Sequence, residues 1–391
     1  MKITKVDVLR AYPNENSWHP VLIRVHTDEG IYGDGEVALG YGNASKAAFS
    51  MVEEMAGKII GMNPLQHEVI WQKLYREACF WGINGGPIVF GGISAIDIAL
   101  WDIKGKVYQA PLHELLGGKQ RSTLRAYASQ LQNGQGVGRR NACTPEDYAR
   151  EALLAVEQGF DAVKIDYLMY REDGTRYPDT EQTGLLDPER MELLEIRIAA
   201  TRQAVGPKVD IILENHCYTD AQGAVQMGNM AKKYRIFYYE EPTTPHADLL
   251  SYVHRETGLP VASGERIYTR WQYNKCLQQE AIQVIQPDLG TCGGITEVKK
   301  ICDLAYIYES TVQIHCCGTP IVTSASLQFE GAIPNFTIHE HNVNCMLPNL
   351  VNLAVRNEEP VNGKFIVSDL PGIGNEISEE AYRCSHVVTV Q

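Results

Sequence analysis

Several features that would place a chain quickly are missing from this one. No stretch reaches the 18 consecutive apolar residues of a membrane-crossing helix, and the opening MKITKVDVLRAY alternates like a strand where a secretory leader would show an apolar run. Membrane-spanning and exported proteins are thereby set aside, and a cytoplasmic protein is expected. Basic residues are in deficit: Lys+Arg 35 against Asp+Glu 48 gives a formal net charge of −13, the wrong sign for gathering nucleic acid or anionic lipid. The ten cysteines contain no CxxC pair, and the adjacent Cys316 and Cys317 lack metal-finger spacing, so neither a disulfide framework nor a structural zinc site is expected. The GxxxxGK[ST] phosphate loop is absent too, and GTCGGIT at 290–296 reads as a tight strand-to-helix turn. What remains is a protein for a small molecule or a protein partner.

The 391 residues, 44% hydrophobic and 21% charged, have ordinary globular composition and allow roughly two or three domains. Residues 2–40 read as three β segments separated at the turn signals Asp28-Glu29-Gly30 and Gly33-Asp34-Gly35. From about 44 to 117 apolar residues recur at three and four positions, which predicts helices and completes an α+β unit over 1–118. After LLGGK the texture changes to strand–helix alternation. STLRAYAS, DAVKID, VDIILEN, IFYYEEP, PVASGE, IQVIQPD, VQIHC and NFTIHE predict eight strands, with helix starts at Thr144-Pro145-Glu146-Asp147 and Asp187-Pro188. Such alternation over 119–342 predicts a parallel barrel with its site at the carboxyl ends of the strands. The charged stretch 167–184 is longer than a usual connection and reads as an excursion over the mouth or into an oligomer contact. Residues 343–391 lose the rhythm and are expected to return to the N-terminal unit.

Polar residues stand at the ends of six successive predicted strands: Glu214, Glu240, Glu265, Asp288, His315 and Glu340, at intervals of 23–27 residues, the length of one βα unit. Three carboxylates on consecutive strand ends suit a hard divalent cation such as Mg²⁺, which takes oxygen ligands and keeps positions open for substrate. Glu214, Glu240 and Glu265 are that set. In Glu240-Glu241 only one side chain can face the mouth, which sends the other into outer packing or a salt bridge. Asp288 and His315, one unit apart, form a carboxylate–imidazole pair with His315 as general base. His216, two residues past Glu214, shares its face of the strand.

At these residues the chain resembles the enolase superfamily, mandelate racemase subgroup, over essentially its whole length. SAIDIALWDIKGK followed by PLHELLGG resembles the end of that family's capping domain. EEP at 240–242, SGER at 263–266 and QPDLGTCGG at 286–294 resemble its barrel-strand ends, and PGIG at 371–374 resembles its C-terminal return. The resemblance implies a modified (β/α)7β TIM-like barrel under an N-terminal α+β capping domain completed by the C-terminal segment. It also implies abstraction of a proton α to a carboxylate, with the enediolate held by Mg²⁺. Carried over by position, the metal ligands are Glu214, Glu240 and Glu265, the dyad is His315 with Asp288, and Glu340 is the acid beside the substrate carboxylate.

Two departures narrow the reading. Where racemases carry Lys-x-Lys on the second strand this chain has Lys164-Ile165-Asp166, which leaves only the His315 side with a base, and the first metal ligand is Glu214 where Asp is usual. A histidine two residues after that ligand resembles the galactonate and mannonate dehydratases, where it is the general acid that expels the 3-hydroxyl. The reading is therefore a Mg-dependent dehydratase of a sugar acid, aldonate or aldarate, giving a 2-keto-3-deoxy acid. His315 is its base, His216 its acid, and Lys164 adds positive charge near the substrate carboxylate. Trp81 and His19, on segments resembling the two mobile capping loops, and Asp166 are expected to contact substrate. The alternatives are a sugar acid epimerase or racemase, a lactone cycloisomerase, or a non-catalytic metal-binding regulatory protein. Expected partners are the small sugar acid and further copies of the chain, with no nucleic acid and no membrane.

Overall fold

The structure, a computed structural model, describes all residues except 13, 16–17, 41–43 and 79–84. The N-terminal unit opens with β1 (Ile3–Ala11), β2 (Val21–Thr27) and β3 (Tyr32–Val37), paired as an antiparallel meander. Helices α1 (Ser45–Ala56), α2 (His67–Lys73), α3 (Gly86–Tyr108) and α4 (Leu112–Leu115) follow, and α2 runs on into a π-helical turn at Leu74–Ala78. Apolar residues of the sheet, α1 and α3 make one core, with Val6, Ile23, Val52, Ile96 and Ile103 fully buried or nearly so. Gly33-Asp34-Gly35, expected as a turn, lies inside β3. The glycines are there because the α3 backbone closes on them: a Cβ at either would overlap the Ala99 or Ala95 carbonyl oxygen. By length and composition α3 is the one helix among the described residues that could cross a membrane, yet 83% of its apolar window is buried inside the protein.

The second unit is a curled parallel sheet of eight strands: β4 (Thr123–Ser129), β5 (Ala162–Asp166), β6 (Asp210–Glu214), β7 (Ile236–Glu240), β8 (Val261–Ser263), β9 (Val284–Ile285), β10 (Thr311–Val312) and β11 (His339–Asn342). β11 returns to pair with β4, and a Val312–Phe336 bridge joins the remaining edges. Between successive strands lie α5 (Pro145–Glu157), α6 (Pro188–Val205), α7 (Ala221–Ala231), α8 (Ala247–Thr257), α9 (Thr269–Gln278), α10 (Gly294–Ile307) and α11 (Pro320–Ala332). Thr144 and Asp147 form a reciprocal capping box at α5, and the Asp187 side chain accepts from the Arg190 amide at α6. Directly after β11 come a 3-10 turn at Val343–Met346 and the single turn α12 (Pro348–Val351), so the eighth unit has no full helix. Alternate strand positions fill the lumen with Tyr127, Ala162, Ile212, Tyr238, Ala262, Val284 and Ile338.

The chain then places β12 (Lys364–Ile366) against β4, forms α13 (Glu379–Arg383), and adds β13 (Ser385–Val390) to the open edge of β1. The fold is thus the modified barrel with its capping domain. Buried polar contacts fasten the two together. Glu36 of β3 accepts from the Thr319 hydroxyl at 2.6 Å, and Asp97 of α3 accepts from the Thr296 amide and hydroxyl at 2.8 and 2.6 Å. The Trp71 indole donates to the Gly293 carbonyl at 2.8 Å. These contacts fix the cap over the strand ends.

Candidate active site

The parallel register sets Asp166 opposite Glu214, and Glu214 opposite Glu240, on three neighbouring strands. Lys164, inward on β5 and 2% exposed, puts its ammonium among three carboxylates: Glu214 at 3.0 Å, Glu340 at 2.8 Å, and Glu240 in direct contact. Burial works against the Lys164 charge, but the three carboxylates hold its pKa well above the ordinary lysine range. Burial likewise opposes ionisation of Glu340, yet Lys164 and the Cys316 amide at 3.1 Å keep that carboxyl down at about 2. Glu241 faces away from this cluster and pairs with Arg266, as the alternation requires.

The three expected metal ligands are not gathered around one point: among the described residues no three His, Cys, Asp or Glu side chains stand as a ligand group. Glu265 is turned to His315 Nε2 at 3.0 Å and to Arg266 at 2.5 Å. The donor set nevertheless fits a hard cation. Glu214 Oε1 and Glu240 Oε2 are buried and, among the described residues, have no hydrogen-bond partner. Burial, then the charge of Glu214, pushes the Glu240 carboxyl up to about 8, the mark of buried anions short of positive charge.

Two imidazoles face this cluster, each backed by an aspartate. His315 Nδ1 lies 2.6 Å from Asp288 Oδ2, whose other oxygen accepts from the Gly290 amide at 2.6 Å. His216 Nδ1 lies 2.7 Å from Asp166 Oδ2, and its Nε2 lies 3.2 Å from the Gln130 amide nitrogen and 3.7 Å from Glu214. His216 reaches the mouth by a different route from the one expected. β6 ends at Glu214, and the left-handed residues His216 (φ 45°) and Cys217 (φ 59°) turn the ring inward.

Asp166, expected to contact substrate, has both carboxylate oxygens engaged within the protein. It is fully buried, with one oxygen on His216 and the other on the Leu168 amide at 2.9 Å, so it orients the imidazole. An imidazole therefore stands on the second-strand side, where the missing lysine left no base in the sequence reading. Tyr167 points outward against Tyr148, with ring centroids 5.2 Å apart. His19 is half-buried on the loop before β2, held through its backbone by Gly40 and the Ser45 hydroxyl. Trp81 lies outside the described residues. The excursion folds back over the rim: the Tyr170 hydroxyl donates to Asn133 Oδ1 at 2.5 Å and Arg176 contacts the Tyr218 hydroxyl. Sequence reasoning missed Gln130, Gln132 and Asn133. They follow the first strand as SQLQN, the same kind of polar strand end that marked the later strands.

Comparison with known proteins agrees with this architecture. Residues 10–117 match the mandelate racemase / muconate lactonizing enzyme N-terminal domain, and residues 147–381 match the enolase C-terminal domain-like family. The chain is 31% identical over 388 residues to a D-galactonate dehydratase of Pectobacterium atrosepticum, covering 97% of this chain and 93% of that protein. A crystal structure of a provisionally assigned dehydratase from Zymomonas mobilis ZM4 is 47% identical with a TM-score of 0.97, covering 100% of this chain and 99% of that one. A member of the enolase superfamily from Salmonella Typhimurium is 46% identical with a TM-score of 0.95, covering 100% of both chains. The 3,6-anhydro-D-galactonate cycloisomerase from Zobellia galactanivorans is 26% identical with a TM-score of 0.83, covering 99% of this chain and 100% of that one. With both of its units matched and the barrel-end residues in place, the chain belongs to the enolase superfamily, in its mandelate racemase subgroup.

Proposed function

We propose that the protein is a hydro-lyase that dehydrates a sugar acid, aldonate or aldarate, to a 2-keto-3-deoxy acid. The observation that carries the reading is the pair of aspartate-backed imidazoles facing one carboxylate cluster, since elimination needs one proton removed and another delivered. The similarity to a D-galactonate dehydratase supports the substrate class. His315, oriented by Asp288, takes the proton from C2 at Nε2. The electron pair left at C2 forms a C2=C3 bond as the C3–O bond breaks with its own pair on oxygen, His216, oriented by Asp166, supplies the proton that lets the hydroxyl leave as water, and the enol so formed tautomerises, taking a proton at C3, to the 2-keto-3-deoxy acid. Lys164 and Glu340 orient the substrate carboxylate. Glu214, Glu240 and Glu265 would hold Mg²⁺, which when bound stabilises negative charge developing on the carboxylate as C2 loses its proton.

The test is a sugar-acid library with 2-keto acid release as the readout, run beside C2 hydrogen exchange in D₂O. Release of a 2-keto acid supports dehydration. Exchange with no keto acid favours the isomerising alternative, to which the similarity with a cycloisomerase lends weight. Neither signal from any sugar acid removes the enzymatic reading.

A further inference from the structure

We infer that Glu330 is a positioning residue for His315, clipping the segment that carries the base to the strand that carries Glu340 across a seam that backbone hydrogen bonds leave open. The inference rests on His315 being the base of the proposed reaction. β10 ends at Val312, three residues short of His315. On its β9 side the segment stays paired: the Gln313 amide donates to the Ile285 carbonyl at 3.0 Å and the His315 amide to the Pro287 carbonyl at 3.2 Å. Toward β11 the pairing stops early. The Val312 amide donates to the Asn335 carbonyl and the Thr337 amide to the Val312 carbonyl, both at 2.8 Å, and among the described residues no backbone hydrogen bond joins 313–316 to 338–342. Side-chain carboxyl groups span that gap instead. Glu330, on α11, accepts from the Ile314 amide through Oε1 at 3.1 Å and meets His339 Nδ1 of β11 through Oε2 at 2.6 Å. Nearer the mouth, Glu340 accepts from the Cys316 amide at 3.1 Å.

Glu330 and His339 are both fully buried, where a polar group is stable only with its hydrogen bonds made. His339 has no second hydrogen bond to account for its place: Nε2 finds no partner among the described residues, and the ring lies edge-on to Phe365 with centroids 4.9 Å apart. The Ile314 N–H can only donate, so Oε1 is its acceptor, and the contact between Oε2 and Nδ1 is one hydrogen bond whichever of the two atoms carries the proton. The clip therefore does not depend on the charge of either group. Ile314 immediately precedes His315, and His339 immediately precedes Glu340. One carboxyl group thus ties the backbone that aims the base to the backbone that aims the acid beside the substrate carboxylate. Asp288 orients the His315 ring, but where Nε2 stands relative to Glu340 is set by the two strand ends. A misplacement of about 1 Å between base and substrate is enough to lower the rate about a hundredfold.

Glu330→Gln can keep both contacts, its oxygen on the Ile314 amide and its NH₂ on an unprotonated Nδ1 of His339, whereas Glu330→Met keeps the side-chain length and loses both. On the sugar acid that the library identifies, Glu330→Gln should stay within about threefold of wild type. Glu330→Met should keep KM within about twofold while kcat for keto acid release falls about tenfold to a hundredfold, with C2 exchange falling alongside. Rates are taken per folded molecule, a quantity that a purely structural defect leaves unchanged. Wild-type kcat in a folded Glu330→Met, or equal loss in both variants, would overturn the inference. Should Glu330→Met fail to fold by circular dichroism, His339→Phe, which keeps a ring against Phe365, is judged by the same criteria. A wild type inactive on every sugar acid would bring down the proposed function. Glu330 would then be decided by amide hydrogen exchange read by mass spectrometry: faster exchange in the peptide spanning 313–318 of Glu330→Met, absent from Glu330→Gln, supports the clip, and unchanged exchange in Glu330→Met refutes it.

Discussion

A histidine backed through Nδ1 by an aspartate presents Nε2 outward, and at the scale of single residues the division of labour between His315 and His216 is the point most open to test. His315→Asn should abolish both C2 exchange and keto acid release, because the step that starts the reaction is gone. His216→Asn should keep exchange and lose release by a factor of about 10² or more, the usual contribution of a general acid. Wild-type release from His216→Asn would end its assignment as acid. The carboxylates make a separate prediction. Glu240→Gln should lose turnover while keeping its circular dichroism spectrum, since one ligand of the proposed cation is gone and the ordinary packing around it remains.

Between elements, the fit of β3 under α3 leaves no room for a side chain, and Gly35→Ala should destabilise the protein by about 3 kcal/mol, measured by urea unfolding. The neighbour that must yield is a backbone carbonyl. The contact between α3 and α10 carries a titrating group. Burial first, outweighing the Thr296 hydrogen bonds, lifts the Asp97 carboxyl from its ordinary 3.8 to about 7. The folded protein therefore keeps a proton that the unfolded chain releases, and stability falls as pH rises through that interval. Relative to Asp97→Asn, the wild type should lose stability from about pH 4 to about pH 7 and show a constant difference above. A flat difference across the whole range would show that Asp97 is ionised throughout.

For the whole molecule, the shortage of positive charge among Glu214, Glu240 and Glu340, which Lys164 meets only in part, predicts that Mg²⁺ stabilises the fold as well as serving turnover. Exhaustive chelation should abolish keto acid release, and adding Mg²⁺ back should restore it and raise the melting temperature. In Glu240→Gln that rise should be small or absent. Full activity after chelation, or a melting temperature indifferent to Mg²⁺ in the wild type, would remove the cation from the account.

The sequence by itself determined the barrel, because the βα period writes itself into the chain: apolar runs for strands buried on both faces, helix-capping residues after them, and a polar residue at each strand end. It also determined which side chains stand at the mouth, from Glu214 round to Glu340, since a strand's last residue has one face to offer. Tertiary structure alone decided how those side chains pair. Asp166 backs His216 because two neighbouring strands set Asp166 opposite Glu214 in register and a left-handed turn swings His216 back over it. Gly33-Asp34-Gly35 reads as a turn in one dimension and is a strand in three, because the cause of its glycines is the pair Ala95 and Ala99 on a helix much later in the chain. Gln130 and Asn133 follow the first strand as a polar strand end, but what they touch is not written there. Gln130 lies against His216 and Asn133 against Tyr170, and contacts between segments so distant in the chain have no period for a sequence to show.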